Sequence, residues 1–453
     1  MSASPTPARR PSLLVASIPL FGHLGPVLRL GAELARRGWR VTVATSEEGR
    51  QHVERVPGVE FCNLGHGGME LAEAERIIAE VTAEPDLARG TLKVLSGMAQ
   101  TWTPMFDGLR AHVAKDRPDV MLVDLATTAG LDVAGEAGIP CVVNNADLLT
   151  VLPAGLLPAE PAVPLLFSRR SIHDVNALDR LLYPLRRWLA ARVGALIVGR
   201  IQNRCRALRA LPPVDFNTRL QGTPIINNSA FGLEYARALP PLMHMVGPIL
   251  PPDEPLSPTE DSWLRDGKPV VFVNMGTVAT PSKEHVQKIA EGLASDRFRA
   301  LWVLRAPSQP WLPANVPSNI RVTTWVSSQM GVLKHPNVRA FVSHCGTNSV
   351  QESLACGTPV VGFPMFAAQE DMGLRVMDAR VGVALDKHHF TPDALRDAVT
   401  RVMEDPAFRK NIPAIQSSFR LAGGVGRAAD VVEDFAKVGA AHLSPGWKAP
   451  EAA

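Results

Sequence analysis

The sequence predicts an α/β protein made of two doubly wound, Rossmann-like domains, and three observations lead there. The chain has 453 residues, more than one hydrophobic core normally supports, so two domains are the starting expectation. Its first half repeats one pattern: a short β-branched run, a glycine or polar turn, then a segment of helical period. The same pattern starts afresh near residue 270. Such runs suit strands buried on both faces of a parallel sheet that is covered by helices.

Residues 1–11 read as a disordered tail. Two arginines precede an apolar run, but that run stops at Pro19 and leads into a helix, so it is a first strand and not a leader peptide. LLVASI (13–18) is that strand, and IPLFGHLGPVLRLGAEL (18–34) gives its exit turn and an amphipathic helix starting at Pro26. RVTVA (40–44), VMLVD (120–124) and PCVVN (140–144) are further strands, with Gly38 and Gly138 where helix C-caps belong. These elements form a first domain over 12–245. HMVGPILPPDEPLSPTED is rich in proline and acids, which sets a linker at 246–260. The second domain, 261–425, holds the strands VVFVNMG, ALWVLR, IRVTTW, RAFVSHCG and PVVGFP, with SKEHVQKIAEGLAS helical between the first two. Thr391 and Pro392 form an N-cap and first-position pair for the helix that follows. A last helix from about 427 to 438 and a polar tail (426–453 together) are expected to pack back on the first domain.

Composition excludes several classes. A formal charge of +3 is too small for a nucleic-acid protein. The five cysteines are scattered without a C-x-x-C pair, which argues against a disulfide framework or zinc site and for a reducing, cytoplasmic setting. LLTVLPAGLLPAEPAVPLLF (148–167) is interrupted by prolines and Glu160, so it is a loop and not a membrane span. The first turn, LFGHLG, lacks G-x-G-x-x-G, against a dinucleotide oxidoreductase.

SHCGTNSVQESLACGTP (343–359) is the most informative stretch. A strand ends at Ser343, a glycine turn follows, and a short helix begins near Asn348. Its free N–H groups and positive dipole end attract phosphate, Asn348 and Ser349 add donors, and His344 stands on the approach. Glu352, one turn on from Asn348, is a carboxylate suited to the two hydroxyls of a ribose. Trp325 offers a flat face on which a base stacks, or else it belongs to the core; Gln329 lies four residues further on.

TWVSSQMGVLKHPNVRAFVSHCGTNSVQESLACGTPVVGFPMFAAQ resembles the donor-binding box of the UDP-dependent family 1 glycosyltransferases, the UDP-glycosyltransferase superfamily. That resemblance implies the GT-B fold, two Rossmann-like domains facing across a cleft. It implies that Trp325 stacks on uracil and the Val326 backbone reads the base edge. His344, Gly346, Thr347, Asn348 and Ser349 then hold the diphosphate, Glu352 the ribose, and Gln369 the sugar. VNMGTVATPS resembles the family's glycine and hydroxyl turn, so Gly276 and Thr277 also approach the phosphates. Gln329 is one residue further from Trp325 than in the plant pattern, and Thr347 stands where plant members often have tryptophan. Ala368 stands where an acid usually precedes the glutamine, so either Glu370 or Asp371 substitutes for it or the donor sugar is held differently, and UDP-glucose is only the default donor.

Sugar transfer needs a hydroxyl made nucleophilic and a leaving diphosphate whose charge is stabilised. His23, at a helix N-terminus that disfavours imidazolium, suits the first need as a neutral base. Asp124 ends a strand at the carboxyl edge of the first sheet, where it can orient His23 and stabilise the imidazolium formed during reaction. FGHLGP and VMLVDLATTAGLDVAGEAGIP resemble the corresponding family segments, and the resemblance implies inversion at the anomeric carbon. The chain has no Asp-x-Asp motif, so no metal and no cofactor are expected; the UDP-sugar is a co-substrate. The alternatives are a UDP-sugar epimerase or hydrolase of the same fold, or a binder without chemistry.

The apolar segment 148–167 reads either as a wall for a lipophilic acceptor or as a loop covering the core. Segment 169–209 carries ten arginines against Asp174 and Asp179. It reads either as a basic amphipathic surface that touches an anionic membrane or as a solvated face.

Overall fold

The computed structural model describes residues 9–66, 71–84, 87–276, 281–366 and 368–438. Two parallel sheets organise it. The first holds β1 (Ser12–Ala16), β2 (Arg40–Thr45), β3 (Val59–Asn63), β4 (Val120–Asp124), β5 (Cys141–Asn145), β6 (Ile225–Asn227) and β7 (Met243–Met245), in the order 3-2-1-4-5-6-7. The second holds β8 (Val270–Asn274), β9 (Arg299–Val303), β10 (Ile320–Thr323), β11 (Val338–Ser343), β12 (Val360–Gly362) and β13 (Gly382–Ala384), in the order 10-9-8-11-12-13. Every pairing within these sheets is parallel. The strand order reverses between β1 and β4 in one sheet and between β8 and β11 in the other. Crevices outside the carboxyl ends of such strands are where ligands bind.

Apolar runs become strands because both faces are buried: β1, β4 and β5 are buried at every residue. One face of the first sheet packs on helix α1 (Phe21–Arg36), through Leu24, Val27, Leu30 and Leu34. The other packs on the helix Leu87–Lys115 and on α2 (Thr128–Ala137), which Gly138 caps at a φ of 59°. Two helices, α3 (Ala177–Gly194) and α4 (Arg200–Ala207), follow a long loop and are joined by a π-helical turn over Ala195–Gly199. In the second sheet α5 (Thr347–Ala355) follows β11 and α6 (Gln369–Asp378) follows β12.

The connection between the sheets differs from the expected linker in one detail: residues 258–260 already belong to a helix, Pro258–Arg265, started by a Ser257 capping box. At the other end α7 (Pro406–Ala422) shares a core with α5 through Ile412, Ile415 and Phe419. The chain then turns at Gly423 and crosses to the first sheet. The last helix, α8 (Gly424–Val438), starts three residues earlier than its periodicity suggested and buries Ala428, Ala429, Val431 and Val432 against α1, β4 and β5. Arg37 of α1 clamps it through Asp430 and Glu433 at 2.7 and 2.8 Å. The tail beyond 438, most of residues 1–11 and Thr277 lie outside the described residues.

Candidate active site

The first sheet contributes an imidazole backed by a carboxylate. Helix α1 begins at Phe21 and not at Pro26, so His23 lies inside the first helical turn. Pro26 stands in the second turn, where it has no N–H to give the carbonyl four residues back. That carbonyl, on Gly22, instead accepts a hydrogen bond from Asn348 Nδ2 at 2.9 Å. His23 Nδ1 stands 2.9 Å from Asp124 Oδ1. Asp124 is fully buried, and its other oxygen accepts from the Ala126 amide and the Thr127 hydroxyl at 3.2 and 3.1 Å. A carboxylate held this way requires the proton on Nδ1, which leaves Nε2 as the basic nitrogen. His23 itself lines the cleft.

The His23 pKa moves in the direction opposite to the one expected from the helix end. Burial pulls the His23 pKa down, but the charge and hydrogen bond of Asp124, with a further pull from Asp147, outweigh it and raise the pKa above its ordinary value.

The second sheet contributes an open helix N-terminus. Gly346 is the N-cap of α5, and the first-turn amides of Thr347, Asn348 and Ser349 have no partner within the helix. His344 sits between two glycines: a Cβ on Gly276, whose φ is 77°, would stand 2.5 Å from its Cε1, and one on Gly346 closer still to its Nε2. Glycine is required at both places to seat the ring. Its Nδ1 is buried without a partner among the described residues, and burial lowers its pKa to about 4, so the ring is neutral across the physiological range.

Behind α5, Asn274 donates to Gln329 at 2.7 Å, and Gln329 donates to Glu352 at 2.6 Å. Gln329 thus orients the carboxylate assigned to the ribose. Burial raises the Glu352 pKa and Arg29 of α1, across the cleft, opposes it. Trp325 is 67% exposed at the cleft, so it is not a core residue, whereas Val326 beside it is buried. Gln369 opens α6, its side-chain oxygen tied to the Met365 and Phe366 amides at 2.9 and 3.2 Å, and it lines the cleft beside Ala368.

Neither substitute for the missing acid reaches that cleft. Glu370 is paired with Arg169 at 2.8 Å, and Asp371 accepts from the Phe167 amide at 3.3 Å; neither is part of the lining. Asp147, two residues past the end of β5, is the carboxylate found there instead. Its Oδ1 accepts from the Thr347 hydroxyl at 2.7 Å and the Leu148 amide at 2.8 Å. Asp147, Arg29 and Asn274 were not singled out from the sequence, although Asp147 and Asn274 lie at the same kind of strand end that marked Asp124.

These groups share one cavity of about 2250 Å³ lined by both domains. Thr347 and Asn348 each bond to the first domain, so the mouth of α5 faces the mouth of α1 directly. A buried ion pair, Arg375 to Glu234 at 3.0 Å, ties α6 to the first domain beside it. Segment 148–167 both covers core and lines the cavity: Leu149, Leu152 and Leu157 are buried, while Val151, Leu165 and Phe167 are part of the lining. Among the described residues no cluster of three or more His, Cys, Asp or Glu side chains is arranged to hold a metal ion, and no helix is long and apolar enough to cross a membrane.

Comparison with known proteins agrees with this geometry. A family profile described as "UDP-glucoronosyl and UDP-glucosyl transferase" matches residues 108–420. The UDP-glycosyltransferase stmC of Aspergillus ustus is 25% identical over 92% of this chain and 84% of its own. The 2-hydroxyacylsphingosine 1-beta-galactosyltransferase of Mus musculus is 24% identical over 88% and 74%. The crystal structure of the glycotransferase of kitacinnamycin superposes with a TM-score of 0.69 at 21% identity, covering 94% of this chain and 99% of that one, which supports the GT-B fold. The chain therefore belongs to the UDP-glucuronosyl and UDP-glucosyl transferase family, and is a GT-B glycosyltransferase using a UDP-sugar donor.

Proposed function

We propose that the protein is an inverting transferase that moves a sugar, by default glucose from UDP-glucose, to a hydroxyl of a small lipophilic acceptor. The observation that carries this reading is the His23–Asp124 pair, set at the first turn of α1 and held one hydrogen bond from the N-terminus of α5. His23 Nε2 removes the acceptor proton as the hydroxyl attacks the anomeric carbon, and Asp124 stabilises the imidazolium. The α5 amides, with His344 as a neutral donor, take the charge that develops on the departing diphosphate. That helix end supplies what a metal would otherwise supply, so transfer needs no metal and no cofactor.

The size of the cavity and the apolar side chains of 148–167 along it support an external, lipophilic acceptor over water alone. A relative named for a sphingosine acceptor points the same way. We place the source of that acceptor at a membrane surface touched by segment 169–209. The test is incubation with a panel of UDP-sugars and a mixture of hydroxylated lipids and phenols, with excess chelator, reading mass shifts. A hexose added to a lipophilic alcohol is expected. Release of free sugar alone would make the protein a hydrolase, and loss through chelator would end the metal-free mechanism.

A further inference from the structure

Helix α3 has two apolar faces. One lines the cavity, through Leu189, Ala190 and Val193, and the lining continues past the π-helical turn to Ile197 and Ile201. The other is open to solvent: Leu181 is 75% exposed, Leu185 62% and Trp188 56%, with Leu178 and Leu196 continuing the row at either end. Steps of three and four residues place Leu178, Leu181, Leu185 and Trp188 on one stripe, and Leu196 lies eight residues beyond Trp188 in the π-helical turn. A stripe of this size is neither core nor ordinary surface.

The charges around it are sorted. Six of the ten arginines in 169–209 are tied inward: Arg169 to Glu370, Arg170 and Arg186 to Asp179, Arg187 to the Ala154 carbonyl, Arg206 to Asp132 and Arg209 to Asp107. The other four, Arg180, Arg192, Arg200 and Arg204, are exposed and have no carboxylate partner among the described residues. Arg192 lies over the Trp188 ring at 5.3 Å, within the stripe itself. The one acid between 178 and 209, Asp179, is buried under its two arginines. A second copy of the chain joined by a two-fold axis would bring these arginines against each other. A bilayer with anionic headgroups matches both the apolar stripe and the unpaired charge.

We propose that the outer face of α3 docks on an anionic lipid bilayer, and that the acceptor passes from the bilayer around α3 into the cavity. The second clause rests on the transferase reading; the docking does not. The full chain is sedimented with vesicles of equal parts phosphatidylcholine and phosphatidylglycerol, and with phosphatidylcholine alone. Wild type is expected to bind the anionic vesicles and to be released by high salt. The triple variant Leu181→Ser, Leu185→Ser, Trp188→Ser and, separately, Arg192→Glu with Arg200→Glu are each expected to bind at least about ten-fold more weakly. UDP affinity and transfer to a detergent-dispersed acceptor are expected to stay unchanged, which shows that the variants fold. Absent binding, equal binding to phosphatidylcholine alone, or a dimer that the triple variant abolishes would each overturn the docking. Vesicle binding that depends on the stripe, without any sugar transfer, would support the docking and overturn the transferase reading.

Discussion

Two histidines occupy matching places in the two sheets and differ in the property that matters most. His23 follows β1 and His344 follows β11, each beside the reversal in strand order and each at the mouth of a helix. His23 has a buried carboxylate on Nδ1 and holds its proton more tightly than usual. His344 has a buried Nδ1 with no partner among the described residues and a pKa lowered to about 4. Similar helix ends face both rings, so the dipole cannot be what separates them. A single strand-end carboxylate raises the pKa of one imidazole, and burial without one lowers that of the other.

The comparison breaks first at the base. His23→Ala should lower kcat on the order of 10⁴-fold, the top of the range for general bases, with UDP affinity nearly unchanged by calorimetry. Activity near wild type would remove His23 from the chemistry. Asp124→Asn keeps the shape and loses the charge, and should cost about 10²-fold in kcat. A loss confined to KM would mean that Asp124 positions substrate and not the imidazole.

On the other side of the cleft the effects move from rate to binding. Glu352→Ala should weaken UDP by about ten-fold, from roughly 1–3 kcal/mol of lost ribose hydrogen bonding, and should erase a preference for UDP over dTDP of similar size. Equal affinity of the wild type for UDP and dTDP would contradict the ribose assignment. The smallest effect concerns His344. Because its ring is neutral well above a pKa of about 4, UDP-glucose affinity should stay flat between about pH 5.5 and 8. A titration in that window that disappears in His344→Gln would show that the ring charges and that the contrast with His23 is false.

Most of this contrast was legible in the residues. VMLVD ends on an acid at a sheet edge, and FGHLGP puts an imidazole beside a helix start, so the pair could be matched before any coordinates. Long apolar runs also revealed the central strands. The short strands β6, β7 and β13, three residues each, and the half-exposed edge strand β3 were missed, because three residues hold no period and one face of β3 is not core. The sign of the His23 shift was hidden for another reason. It is a balance between burial, a dipole and a carboxylate, and only distances decide which is larger. Arg29 and Asp147 were hidden because their relevance lies across the cleft, on the opposite domain. The choice of Glu370 or Asp371 failed likewise: loop 165–170 comes over α6 and engages both.

The most direct test of the central claim is the pH dependence of kcat/KM for sugar transfer in the wild type and in Asp124→Asn. The base works unprotonated and Asp124 raises its pKa, so the wild-type rate should climb with pH through a value above the ordinary 6.5. Removing the carboxylate charge should move that limb to lower pH and lower the plateau. An acid limb at the same pH in both proteins, or a wild type with no limb at all, would contradict the account.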